Sequence, residues 1–139
     1  MKNTIKIAVA GLVMLGIVSC NDNKDDYDQV TDIQKIAIDS VKLVNDTMRV
    51  GASQSIITYS KFSQGCEGFY AYDYQHDNMN RLVSAYKFKT DGVCETPIAQ
   101  GNKFDFLPQT EGTYIFKFWQ GKDVSNNDII LEKTIIVVE

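Results

Sequence analysis

The chain has 139 residues, 18 acidic and 14 basic side chains, and a formal net charge of −4. A modestly acidic balance argues against nucleic-acid binding, which calls for Lys and Arg clustered on one face. The length suits one domain with one core rather than two, and no internal repeat breaks it up.

The first segment reads as an address. Lys2 and Lys6 form a short basic region, and Ile7 to Val18 is an apolar run. At about a dozen residues the run has the length of a signal core and is too short to span a bilayer, which takes roughly 20. The run closes on Ile17-Val18-Ser19-Cys20, which resembles a bacterial lipobox. A peptidase needs a small residue at the cut, and the cysteine thiolate takes the lipid. The alternatives are an ordinary cleaved signal peptide or a buried apolar segment. The resemblance implies a diacylglyceryl group plus an N-acyl chain (typically palmitate) on Cys20, and two or more chains anchor stably. Removing residues 1–19 takes away Lys2 and Lys6 and no acid, so the net charge moves from −4 to −6.

Asn21 to Asp26 carries no apolar residue and reads as a solvated tether, with residues 20–34 joining the anchor to the domain. Lys24-Asp25-Asp26 also resembles the lysine-plus-acidic-pair signal that sends lipoproteins of Bacteroidota to the outer face of the outer membrane. That resemblance implies a cell-surface location ahead of a periplasm-facing anchor. With Cys20 given to lipid, Cys66 and Cys94 are the pair left. In an oxidising compartment they are expected to form a disulfide. Closing that loop is worth roughly 3 kcal/mol. The alternative, a reactive thiol, has no basic neighbour or dedicated histidine to support it.

From residue 35 short β-type runs alternate with turn signals. Ile36–Val44 is the first predicted strand, ended by a turn at Asn45-Asp46-Thr47. Ser55–Ser60 is the second and Phe69–Tyr74 the third. Gln75 to Asn80 reads as a polar turn. Leu82–Lys89 is the fourth strand, with Leu82, Tyr86 and Phe88 on one face and Lys87 and Lys89 on the other. Lys103–Leu107 is the fifth, ended by Pro108. Tyr114–Trp119 is the sixth, with Tyr114, Phe116 and Phe118 sharing a face. Gly121–Asp128 is a turn, and Ile129–Val138 closes the chain. Seven closely spaced strands without a convincing amphipathic helix predict an all-β sandwich or barrel.

The stretch Phe104 to Tyr114 looks like the E–F corner of immunoglobulin-like domains: an aromatic strand, a proline-bounded crossover, then Gly112-Thr113-Tyr114 opening the next strand. The likeness covers about residues 35–139 and implies an immunoglobulin-like β-sandwich. In such a corner the Tyr114 hydroxyl bonds back to nearby backbone. The inter-sheet cysteine pair of antibody domains is not matched. Cys66 and Cys94 would instead pin a strand start to a loop. Together with the lipobox, the chain resembles the small lipoproteins of Bacteroidota surfaces, a likeness that implies no activity.

His76, the only histidine, lies in the polar run Gln75-His76-Asp77-Asn78 with no nucleophile, orienting partner or metal-ligand spacing beside it, so a solvated turn is the plainer reading. The acid-rich Asp123–Asp128 offers oxygens of the kind Ca²⁺ takes, but lacks the EF-loop spacing and closing glutamate. It reads as a hairpin turn. No metal, cofactor or catalytic set is expected. The candidate binding patch is aromatic. Tyr70, Tyr72 and Tyr74 alternate and line one face of the third strand. Trp119 lies opposite in phase to Tyr114, Phe116 and Phe118, and is expected to point outward beside Lys117. In an immunoglobulin-like sandwich the third and sixth strands are neighbours, so the four rings would form a flat platform of the kind sugars and protein partners favour. The opposing reading places the tyrosines in the core, with Phe69 and Ala71 outward. Asp39-Ser40-Val41 and Asp46-Thr47-Met48 resemble the O-glycosylation acceptor motif of Bacteroidota, which marks Ser40 and Thr47, with Thr47 favoured because it falls in a predicted turn.

The expectation is therefore a lipid-anchored, non-enzymatic surface domain that binds a glycan or protein partner. The alternative is a structural or accessory subunit of an envelope complex. An enzyme stands third.

Overall fold

The computed structural model describes residues 28–96 and 99–139. Cys20, the signal segment and the sorting tripeptide lie outside them. The described chain is all-β, with nine strands in two sheets. In chain order they are β1 (Val30–Ile36), β2 (Ser40–Lys42), β3 (Thr47–Arg49), β4 (Gln54–Lys61), β5 (Glu67–Asp77), β6 (Asn80–Thr90), β7 (Ala99–Phe106), β8 (Gly112–Lys122) and β9 (Asp128–Val138). The larger sheet has the order β1-β6-β8-β9-β3, with β5 on the other edge of β6. The smaller sheet has the order β2-β4-β7.

Strand β6 organises the larger sheet. One edge carries β5 as an antiparallel hairpin partner. The other edge carries β8, parallel over Asn80–Val83, and then β1, antiparallel from Ala85 to Thr90. The third and sixth predicted strands, β5 and β8, were expected to be neighbours, but β6 stands between them. Side-chain size explains the placement. The inward residues Val83 and Ala85 are small and fully buried, and they lie in the same interior as the large rings of Phe116 and Phe118. The Leu82, Tyr86 and Phe88 face of this strand is the outer one, and Leu82 is 43% exposed.

The long first predicted strand is two strands. β1 starts at Val30, inside the expected tether, and the chain changes sheets at Ile38. There Ile38 N–H donates to Trp119 O at 3.0 Å and Asp39 N–H to Tyr59 O at 2.8 Å, one bond to each sheet. Fully buried Ile38 drives the crossing, since its side chain joins the core. The turn expected at Asn45–Thr47 is shorter than read. Buried Gln54 clamps Asn45 by accepting from its N–H and donating to its carbonyl, both at 3.1 Å. Thr47 already begins β3, which runs parallel to β9.

The core is aromatic. Phe106, Tyr114, Phe116 and Phe118 lie buried with Ile36, Ile56, Ile135 and Val137. Phe116 meets Phe106 edge-on at 4.9 Å and stacks with Phe118 at 6.1 Å. The predicted shared face of Tyr114, Phe116 and Phe118 is the inward one.

Cys66 and Cys94 form a disulfide. It ties the residue before β5 to the loop after β6, closing the open end of the hairpin. Beside it Lys87 Nζ donates to Glu67 Oε1 at 2.7 Å, with both side chains largely buried. Burial opposes ionisation of Glu67, but the bonds from Lys87 and Ser63 and the charge of Lys87 outweigh it, so the carboxyl titrates below its usual range. A lowered folded-state value makes the carboxylate stabilising above about pH 4.5 and loses that contribution as pH falls through the folded value. Urea unfolding over about pH 5 to 3 should show stability falling in the parent chain. Lys87→Met, which removes the partner that lowers the Glu67 pKa, should fall less steeply over the same range.

Candidate binding site

Among the described residues β5 pairs only with β6 and β7 only with β4, so both are sheet edges. On this side the two sheets are joined by side chains. Tyr72 and Phe104 meet at 5.1 Å, Tyr74 and Phe104 at 5.5 Å. The Tyr72 hydroxyl shares a 2.7 Å hydrogen bond with buried Thr58 of β4. Towards the β5–β6 turn the sheets part and leave a cleft of about 540 Å³. Its walls are Tyr72, Tyr74, Phe104, Phe106 and Tyr114, with Arg81 among them and His76, Asp105, Gln109 and Thr110 also lining it.

The three tyrosines of the wall are held by local devices. A bulge between Phe69 and Ala71 makes Tyr70 an extra residue, so the alternation of β5 changes phase there. Phe69, Tyr72 and Tyr74 therefore share the inward face, and the Phe69 and Tyr72 rings lie 4.7 Å apart. Tyr70 is left 54% exposed. At the corner after β7, the Tyr114 hydroxyl donates to Thr110 O at 2.9 Å, the backbone bond expected of an E–F corner. Gly112 opens β8 at φ 143°, a conformation that side chains disfavour, with Met79 packed against it.

Arg81 sits at the bottom of the hairpin, only 9% exposed. Its Nη1 donates to Asn78 O at 2.5 Å and Asn80 O at 2.9 Å, which secures a turn whose Asn78 is in the left-handed region at φ 54°. Its guanidinium lies over the Tyr114 ring, 4.9 Å from the centroid. Arg81 pairs with no carboxylate among the described residues. Burial pushes the Tyr74 hydroxyl above its usual range, partly offset by Arg81, and burial likewise raises Tyr72 against its bond to Thr58. Both stay neutral phenols through the physiological range.

The four rings of the expected patch are not brought together. Tyr72 and Tyr74 are cleft walls on the inner face of the larger sheet, Tyr70 points outward at the bulge, and Trp119 lies on the outer face beyond β6. Trp119 does point outward as expected, but it is partly covered. Lys35 Nζ sits 4.3 Å from its ring centroid, and its Nε1 donates to Asp128 at 2.9 Å. His76 is in β5 rather than in a turn, at the mouth of the cleft, 5.1 Å edge-on to Tyr74. Both glycosylation candidates are exposed, Ser40 in β2 and Thr47 in β3 rather than in a turn. The Asp123 carboxylate is taken up by its own turn, accepting from the N–H groups of Ser125 at 2.8 Å and Asn127 at 2.9 Å.

Sequence reasoning passed over Arg81, Phe104, Phe106 and Thr110 as site residues. A signal for Arg81 existed, since it shares the phase of Val83 and Ala85 and so places a charge on an apolar face. No family model, curated protein or solved structure matches this chain.

The corner is testable by itself. Tyr114→Phe removes the hydroxyl bonded to Thr110 and should lower unfolding stability by about 1–2 kcal/mol in urea, without changing the secondary structure seen by circular dichroism.

Proposed function

We propose that this chain is a lipid-anchored lipoprotein of the outer membrane, exposed at the cell surface, whose β-sandwich is a non-enzymatic binding module with its site in the end cleft. The observation that carries the binding role is that cleft, an aromatic-walled hollow with one buried guanidinium that has no carboxylate partner among the described residues. Its volume falls in the range of small-molecule sites, about 300–1,000 Å³. Polar groups at its lining suit a ligand with hydroxyls, which favours a glycan over a protein segment. Among the lining residues Asp105 is the one carboxylate, and it accepts from Ser55 at 2.5 Å. His76 makes no hydrogen bond to it among the described residues. That arrangement supports binding over acid–base chemistry. The lipobox ending at Cys20 and the Lys24-Asp25-Asp26 tripeptide support the location.

The test uses the full chain. Cys20→Ala should release it from the membrane fraction. On a glycan array, binding should be lost in Tyr74→Ala while its circular dichroism is retained. Undiminished array binding by that variant overturns the cleft as the site.

A second reading, an assembly subunit, draws on the free edge of β5. Its 11 residues have no partner on that side among the described residues, and such an edge can accept another strand. The bulge at Tyr70 and the charges of Asp73 and Asp77 blunt it.

A further inference from the structure

We propose that the end cleft recognises a ring bearing a single carboxylate, with the carboxylate on Arg81 and the ring against the Tyr74, Phe104 and Tyr114 wall. This rests on the reading of the cleft as the binding site and adds the chemical class of its ligand. A guanidinium carries five N–H donors in a planar fork. Nη1 is used on the carbonyls of Asn78 and Asn80. The remaining donors meet no carboxylate among the described residues, although the side chain is 9% exposed.

A buried cation without a counter-ion is unfavourable, and the folded chain offsets it with backbone dipoles, the face of Tyr114 and the neutral Tyr74 hydroxyl, none of which carries a full charge. A planar oxyanion that meets the fork with two parallel bonds supplies the missing charge. One cation balances one negative charge. Asp105 lines the same cleft and the whole chain is acidic, so a dianionic phosphate would leave charge uncompensated. Around the guanidinium the surfaces are ring faces, which take the apolar face of a sugar ring or another aromatic ring. Two sources share this chemistry, an acidic sugar and an aromatic acid. The polar lining of His76, Gln109 and Thr110 gives ring hydroxyls partners.

The full chain, titrated by NMR, separates them with matched pairs: methyl glucuronide against methyl glucoside, and benzoate against benzyl alcohol. In at least one pair the carboxylated member should bind about tenfold or more tightly, the effect of a charge-assisted bond. That preference should shrink with added salt and shift the resonances of Tyr74 and Tyr114. Preference in the first pair assigns an acidic sugar; in the second pair alone, an aromatic acid. Arg81→Gln should erase the preference, and Arg81→Lys should restore part of it. If Arg81→Gln does not fold, the pair comparison and salt dependence in the parent chain decide alone. Equal binding within both pairs, no binding by any of the four, or tighter binding of inorganic phosphate than of either carboxylate overturns the inference. The cleft itself falls separately, if Tyr74→Ala keeps undiminished array binding or if array-selected ligands shift resonances elsewhere.

Discussion

Phe116→Ala should lower the free energy of unfolding by about 3–5 kcal/mol. The ring is fully buried in the middle of β8, touching Phe106 on one side and Phe118 on the other. Removing it leaves a void that its neighbours cannot close, because they are rings fixed by strand pairing, Phe118 between β6 and β9 and Phe106 against β4. Urea denaturation gives the value directly for a single domain of this size. Leu82→Ala is the matched control. Leucine is just as apolar, but this one faces outward from β6 and should cost no more than about 0.5 kcal/mol. If the two variants lose similar stability, the assignment of inner and outer faces in the larger sheet is wrong.

The second large effect is the disulfide. Replacing both Cys66 and Cys94 by serine should cost about 3–4 kcal/mol, the chain entropy released by opening a loop of 28 residues. The position of the bond makes the prediction sharper than a loss of stability. It closes one end of the β5–β6 hairpin, whereas Arg81 and His76 lie at the turn end, roughly 30 Å along an extended strand. Reduction should therefore lower the urea midpoint while leaving the NMR environment of Tyr74 and Tyr114 unchanged below the transition. A shift at those residues before unfolding would show that the bond also sets the cleft.

Much of the fold was legible in the residues. Alternation in Tyr114–Trp119 identified the inward face of β8, and the Phe104–Tyr114 stretch announced the corner whose tyrosine hydroxyl bonds back to Thr110. The cysteine pairing followed from counting three thiols and assigning one to lipid. What could not be read was decided by tertiary context. Period-2 patterning cannot see a bulge, so Tyr70, Tyr72 and Tyr74 read as one stripe until one extra residue shifts the phase. Nor does pattern reveal which neighbour a strand takes. Leu82, Tyr86 and Phe88 are the larger apolar residues of β6, yet the small Val83 and Ala85 face inward because the interior is already full of rings. The cleft is harder still, since it is a gap between two edge strands and a crossover, assembled from Tyr74, Arg81, Phe104 and Thr110, which are scattered along the chain.

The extra residue at Tyr70 has an evolutionary consequence. In an ordinary strand, losing one residue exchanges every side chain beyond that point between solvent and core. Here Phe69 already pairs with Lys87 and Ala71 with Tyr86, so deleting Tyr70 would splice two segments whose partners are adjacent on β6. The ladder would close without moving Tyr72, Tyr74 or His76. β5 can thus lose a residue at this one position while its faces are kept, and length variation among relatives of this chain should concentrate there.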